Sequence, residues 1–326
     1  MNVTVCGAGA VGSTLAAVLS TDPATSVRVL SGSRSARRRQ FEILVGRDIL
    51  LGYVNLISHD PAEAVKDADI VFLAVPSHVR SDILSSILPY LPRHACLLSL
   101  PGNGGLDRQI RAVTQHSFLG SRRTPFTVRS SFDFDAAVTG VANCIELAGS
   151  GDTQNIVPWL ESSLNIPVRL VSSFESITLC PANAVMHSAR LVSVMMNGAA
   201  LSRPLGMYSE WDDCASEIAL RMDEDIKTVT KALRINDLPT LKEHYGVVTA
   251  AQLTKRLRGL ASLSGAMIPM RKSGDHYVLD VENRIVKEEA LCGLPAMLET
   301  ARCAGTPVPT LQAITEALRG LCSVPV

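Results

Sequence analysis

A chain of 326 residues has room for about two domains and a sizeable core, which excludes a miniprotein held together by disulfides. Its 31 lysines and arginines balance 31 aspartates and glutamates, so it lacks the broad positive field on which non-specific nucleic-acid binding depends. With 47% apolar, 19% charged and only 4% aromatic residues it reads as a folded protein with an aliphatic core.

Along the chain, residues 3–6 predict a strand, 10–20 a helix and 27–30 a second strand. The fully apolar run 70–75 is a third strand, followed by a helix over 81–91 and a fourth strand at 96–100; 140–147 and 167–172 complete the sheet. Continuous apolar strands between helices require a parallel sheet covered on both faces, so the fold class is α/β, a doubly wound Rossmann-type domain. After residue 174 the stretches 182–200, 215–233, 249–263 and 287–304 carry apolar residues at helical spacing. The boundary is placed at 173, giving a dinucleotide-binding domain (1–173) and a mostly helical substrate and dimerisation domain (174–326), with a homodimer as the expected assembly.

The apolar N-terminal stretch 3–19 has no basic residue before it and reads as strand, turn and helix rather than as a leader, and no run of about 18 apolar residues predicts a membrane span. The eight cysteines form no C-x-x-C pair, which points to buried thiols in a reducing, cytoplasmic compartment and to no metal site.

Between the first strand and first helix stands Gly7-Ala8-Gly9-Ala10-Val11-Gly12, a G-x-G-x-x-G. Gly7 makes the tight turn, Gly9 lets the backbone approach a pyrophosphate, and Gly12 lets helix and strand pack closely, while the helix N-terminus presents free N–H groups to the phosphates. An acidic residue at the end of the second strand would hold an NAD ribose. This chain has Ser31-Gly32-Ser33-Arg34 there, then Arg37, Arg38 and Arg39. Ser31, Ser33 and Arg34 suit a 2′-phosphate, so NADP(H) is expected ahead of NAD(H). Residues 28–47 hold six arginines against the single acid Glu42, a compact basic site within a neutral chain.

Val75 and Pro76, ahead of Ser77-His78, end the third strand, and Pro101-Gly102-Asn103-Gly104-Gly105 ends the fourth; both loops are expected over the nicotinamide end of the cofactor, with Asn103 a contact. The active site is expected in the cleft between the domains. In order, G-A-G-A-V-G, F-L-A-V-P-S-H and L-P-G-N-G-G resemble the octopine/nopaline (opine) dehydrogenase family. Asn183-Ala184-Val185-Met186-His187 is similar to that family's N-x-x-x-H, and Arg284-Ile285-Val286-Lys287-Glu288-Glu289 with Gly293-Leu294 to its R-Y-x-x-E-D and G-L. Met207-Tyr208 and Met222-Asp223-Glu224 fall near its aromatic and acidic helix positions, and Thr124 to Arg129 resembles its T-L-P-x-x-x-R loosely. Glu289 stands where the family has aspartate, and Ser188 where it has proline.

The resemblance implies reductive condensation of an amine or amino acid with an α-keto acid, by NAD(P)H reduction of the imine. Histidine donates and accepts protons near neutral pH, so His187 is the expected acid-base residue. Glu289, with Glu288 as its neighbouring rival, is expected to hold the far ring nitrogen. Asn183, one turn before His187, is expected to hold a substrate or carboxamide oxygen. Arg129 could clamp a carboxylate or form a structural salt bridge, His78 could border the site or sit on the surface, and an isolated histidine in an apolar helix is more often a core residue. A ketopantoate-reductase-like 2-keto acid reductase is the alternative enzyme, although the lysine that group carries is missing from 180–191. A non-enzymatic NADPH sensor is the alternative outside enzymes.

Overall fold

The computed structural model describes residues 1–32, 39–196, 198 and 201–323. The chain divides into two compact units, residues 1–177 and 178–326. Phe174 and Ile177 are buried in a core of the first unit, which carries that unit past residue 173.

The first unit is built on an eight-stranded sheet. In chain order its strands are β1 (Asn2–Cys6), β2 (Ser26–Leu30), β5 (Leu56–Ser58), β6 (Ile70–Leu73), β7 (Cys96–Ser99), β8 (Phe118–Ser121), β11 (Ile145–Ser150) and β12 (Val168–Leu170). Their spatial order is β12-β11-β8-β7-β6-β1-β2-β5. From β5 to β8 all neighbours run parallel, while β11 runs against β8 and β12 lies parallel to β11. The apolar strand runs reflect burial on both faces. Val3, Val5, Ile70 and Phe72 enter one core with the helix Ala10–Leu19, and Cys6, Val71, Leu73 and Leu97 enter the other with Leu84 and Ile87 of the helix Arg80–Ile87.

A second, four-stranded sheet was not visible in the sequence. It has the order β4-β3-β10-β9, from β3 (Gln40–Val45), β4 (Asp48–Tyr53), β9 (Phe126–Arg129) and β10 (Ala136–Val141). β4 packs so closely on the first helix that a Cβ at Gly52 would lie 2.3 Å from Ala17 Cα. The run Ile49-Leu50-Leu51 hides the period of two, because Ile49 and Leu51 stay exposed while Leu50 turns inward. The single strand expected over 140–147 is corrected: the chain leaves the second sheet after Val141 and enters the first at Ile145, with a bend at 142–144 between them.

The second unit packs its helices Asn183–Met196, Asp213–Ala232, Ala250–Arg258, Leu294–Cys303 and Pro309–Ser323 around one apolar core. Asp212, Thr240 and Thr249 cap the Asp213–Ala232, Leu241–Tyr245 and Ala250–Arg258 helices by accepting backbone N–H bonds. The helix expected over 249–263 stops at Gly259, and a hairpin, β13 (Met270–Ser273) with β14 (His276–Leu279), follows. The helix expected over 287–304 is interrupted. Arg284–Glu288 is α-helical, Glu289–Gly293 forms one wide π turn, and the α-helix resumes at Leu294. Pro295, at the start of the resumed helix, has no N–H for the Leu291 carbonyl, and a proline ring disfavours a regular ladder four residues back, which accounts for a wider turn just before it. Among the described residues no helix is long and apolar enough to cross a membrane.

Candidate active site

In the first unit the candidate cofactor loops share one edge, at the carboxyl ends of parallel strands. The chain runs outward through β1, β2 and β5, then returns to β6 on the other side of β1, so the loops after β1 and β6 flank the point where strand order reverses. Gly7, with φ of 106°, turns the chain out of β1; a Cβ there would stand 2.6 Å from the Ala74 carbonyl oxygen and 2.9 Å from Val75 Cγ1. Val75 and Pro76 are thus next to the glycine turn, both half-buried. At Gly12 a Cβ would meet the Gly7 carbonyl at 2.0 Å. Gly9 differs, since a Cβ there would meet nothing within 4 Å, and as N-cap of the helix that starts with Ala10 and Val11 it offers no side chain to the first N–H groups. Uncapped donors beside open space fit a pyrophosphate.

Asn103 follows β7. Its loop is tied down by Arg80, a buried residue whose guanidinium donates to the Asn103 carbonyl at 2.5 Å and the Pro101 carbonyl at 3.2 Å, while Gln109 Nε2 donates to the Ser77 carbonyl at 3.1 Å. Asn103 Oδ1 is buried with no partner among the described residues. That orphaned acceptor suits an amide donor such as a carboxamide. No sequence signal distinguished Arg80 from an ordinary helix arginine.

Ser31 is buried at the end of β2, its N–H donating to the Ser58 carbonyl at 3.0 Å and its carbonyl accepting from His59 Nδ1. His59, which had no expected role, therefore borders this position. Ser33, Arg34, Arg37 and Arg38 lie outside the described residues. Of the described arginines among the six, Arg28 donates to the Lys66 carbonyl, and Arg47 sits in the turn between β3 and β4. His78 lies in the short turn Ser77–Val79, and Arg129 lies on β9 of the second sheet.

In the second unit, His187 lies in the first turns of the helix Asn183–Met196, and Glu289 opens the wide turn Glu289–Gly293. The structure brings these two together across 102 residues of chain: His187 Nδ1 donates to Glu289 Oε1 at 2.9 Å. That bond places the neutral ring's proton on Nδ1 and leaves Nε2 as the atom able to take or give one. Glu289 is 2% exposed against 16% for the His187 side chain. Burial pushes the Glu289 carboxyl above the ordinary range, the hydrogen bond and charge of His187 pull it back down, and Glu288 pushes it further up. Glu288 itself is half-buried beside it. Asn183 is exposed, one turn before His187. Ser188 is fully buried and its hydroxyl has no partner among the described residues.

Other residues hold this helix in place. Arg190, buried one turn after His187, pairs with Asp212 and donates to the Glu210 carbonyl at 2.7 Å, tying the helix to the start of Asp213–Ala232. Tyr208 stacks on Trp211 at 5.7 Å between ring centres. Asp223 accepts the Leu241 N–H at 2.8 Å, holding the next helix start, and burial pushes its carboxyl from 3.8 to about 6. The folded state thus favours protonated Asp223, and the stability present below about pH 4 is lost as pH rises through about 6. Asp223→Asn keeps the acceptor without the charge and is expected to raise the melting temperature at pH 8 by several degrees, for a gain of up to about 3 kcal/mol. A calorimetric series should show that gain shrinking between pH 6 and 4; a pH-independent difference contradicts it.

Residues 170–322 match the NAD/NADP octopine/nopaline dehydrogenase alpha-helical domain, and residues 2–101 match the coenzyme F420-dependent NADP oxidoreductases. The octopine dehydrogenase of Mizuhopecten yessoensis is 23% identical over 95% of this chain and 87% of its own length. Among solved structures, octopine dehydrogenase with NADH and pyruvate superposes with a TM-score of 0.85 at 19% identity, covering 99% of this chain and 89% of that one. A ketopantoate reductase from Ralstonia eutropha covers 98% of both chains at 15% identity, with a lower TM-score of 0.66.

Proposed function

The chain is a member of the opine dehydrogenase family of NAD(P)-dependent oxidoreductases, and from that premise we propose that it uses NADPH to reduce the imine formed between an α-keto acid and an amine or amino acid. The observation that carries the reading is the bond between His187 and the buried Glu289, because reductive condensation needs a group that can give and take a proton, and this bond leaves Nε2 of the imidazole free to do both. The keto acid and amine first add to give a carbinolamine. His187, protonated at Nε2, donates to its hydroxyl, which leaves as water while the nitrogen keeps its own proton, so that an iminium forms. Throughout, Glu289 holds Nδ1–H, orients the ring and stabilises the imidazolium. When bound, NADPH would supply the hydride for the iminium carbon, which with the proton already on nitrogen makes the secondary amine. Asn183, exposed one turn ahead, is assigned to a substrate oxygen.

In the first unit, Gly9 and the N–H groups of Ala10 and Val11 would hold the pyrophosphate, Gly7 and Gly12 shape the turn, and Val75, Pro76 and Asn103 would border the nicotinamide. Ser31, with Ser33 and Arg34 of the sequence, would read the 2′-phosphate. The absence of any carboxylate from 31–39 supports NADPH over NADH, and eight free thiols support a reducing, cytoplasmic setting.

The test is a panel pairing pyruvate, oxaloacetate and 2-oxoglutarate with diverse amines, read by NADPH absorbance. The expected result is oxidation that requires both a keto acid and an amine. Oxidation with a keto acid alone overturns the reading in favour of a 2-keto acid reductase, and NADPH binding without turnover across the panel favours a sensor.

A further inference from the structure

Gly293, in the Gly293-Leu294 pair, takes no part in the chemistry above. Its φ of −58° and ψ of −66° suit any residue, and a glycine within a helix costs about 0.5–1 kcal/mol relative to alanine, so the backbone gives no reason for it. The surroundings do. A Cβ at Gly293 would stand 2.5 Å from Glu289 Oε2 and 3.0 Å from Ala184 Cβ. Ala184 is buried three residues before His187 on the same helix, and Glu289 lies four residues before Gly293. The side chain missing at Gly293 would therefore fall between the segments that carry the two members of the pair. Glu289 Oε2 is buried and has no hydrogen-bond partner among the described residues; the space beside Gly293 is what receives it. Glutamate reaches one methylene further than the aspartate that the resembling family carries there, which brings its outer oxygen up against this position.

We propose that Gly293 is a positioning residue for the His187–Glu289 pair: its missing side chain leaves the space in which Glu289 Oε2 sits, so that the carboxylate can turn its Oε1 to within 2.9 Å of Nδ1. This rests on the reading of that pair as the proton-transfer machinery. The geometric part is tested without substrate, by the proton NMR signal of the His187 Nδ1–H, assigned by its loss in His187→Asn.

Gly293→Ala in the full chain is expected to fold, to lose that exchange-protected signal, and to lower kcat by about 10²-fold with the KM for NADPH unchanged, as a misplaced catalytic group does. Adding Glu289→Asp, which withdraws the carboxylate from the new methyl group, is expected to restore the signal. If Gly293→Ala does not fold, Ala184→Gly is added to relieve the helix contact, and the signal should still be missing. A retained signal and normal kcat in Gly293→Ala overturn the proposal. So does restoration of the signal by Ala184→Gly, since the glycine then serves helix packing alone. Should the panel find no turnover, the NMR series still decides whether Gly293 sets the pair, so the two failures are distinguishable.

Discussion

His187→Ala is expected to lower turnover by about 10²- to 10⁴-fold, the range that general acid-base catalysis contributes, while NADPH binding and thermal stability stay close to the wild type. The side chain reaches the surface and, among the described residues, its ring is bonded through Nδ1, so its removal takes away the proton carrier from the margin of the core. Glu289 then becomes a buried carboxyl without its imidazole partner, and burial, which already pushes it upward, acts without the hydrogen bond and charge of His187 that pulled it back down. Glu289→Gln should give a smaller loss than His187→Ala, since the amide oxygen can still accept from Nδ1–H but no longer stabilises the imidazolium. Steady-state kinetics on the keto acid and amine pair found by the panel, with cofactor binding followed by fluorescence, checks both. Near-normal turnover in His187→Ala sinks the assignment.

The two glycines of the cofactor loop should respond in opposite ways. Gly12→Ala puts a methyl carbon 2.0 Å from the Gly7 carbonyl, a backbone atom that cannot rotate away, so helix and turn must separate. A loss of about 3 kcal/mol or more is expected, a fall in melting temperature on the order of 10 °C. Gly9→Ala meets nothing within 4 Å, and φ of −74° is ordinary, so the fold should be unaffected. The same methyl group projects where a pyrophosphate approaches the backbone, and NADPH affinity should fall at least about tenfold, or about 1.4 kcal/mol. Differential scanning calorimetry and cofactor titration separate the two effects. Unchanged NADPH affinity in a folded Gly9→Ala variant would mean that the loop does not hold the dinucleotide.

The glycine loop was legible because each of its constraints is local: a turn, a close approach and a helix start within six consecutive residues. The apolar strands were legible because burial on both faces leaves no polar position to confuse the pattern. The second sheet was not, because Ile49 and Leu51 point outward and erase the alternation by which a half-buried strand is recognised. The antiparallel β11 was also hidden, since strand direction depends on where the chain goes between 121 and 145 rather than on the strand's own residues. Arg28 and Arg47 looked like members of a basic site by sequence distance, but the carbonyl of a turn residue, Lys66, holds the first and a hairpin turn carries the second.

By itself the sequence determined the glycine turn between the first strand and first helix, the α/β-then-helical order of the chain and the place of His187 on a helix of the second unit. Those signals are short-range, set by backbone conformation, periodicity or contiguous motifs. The tertiary structure decided which carboxylate faces His187. Glu288 and Glu289 are adjacent and chemically alike, and only the wide turn beginning at Glu289, where Pro295 interrupts the helical ladder, directs Glu289 onto Nδ1 across 102 residues. It also decided why Gly293 is a glycine, because the atoms that exclude a Cβ there belong to Glu289, at the start of the same wide turn, and to a helix about a hundred residues earlier. Contacts between segments so distant in sequence leave no local pattern, since packing, not propensity, sets them.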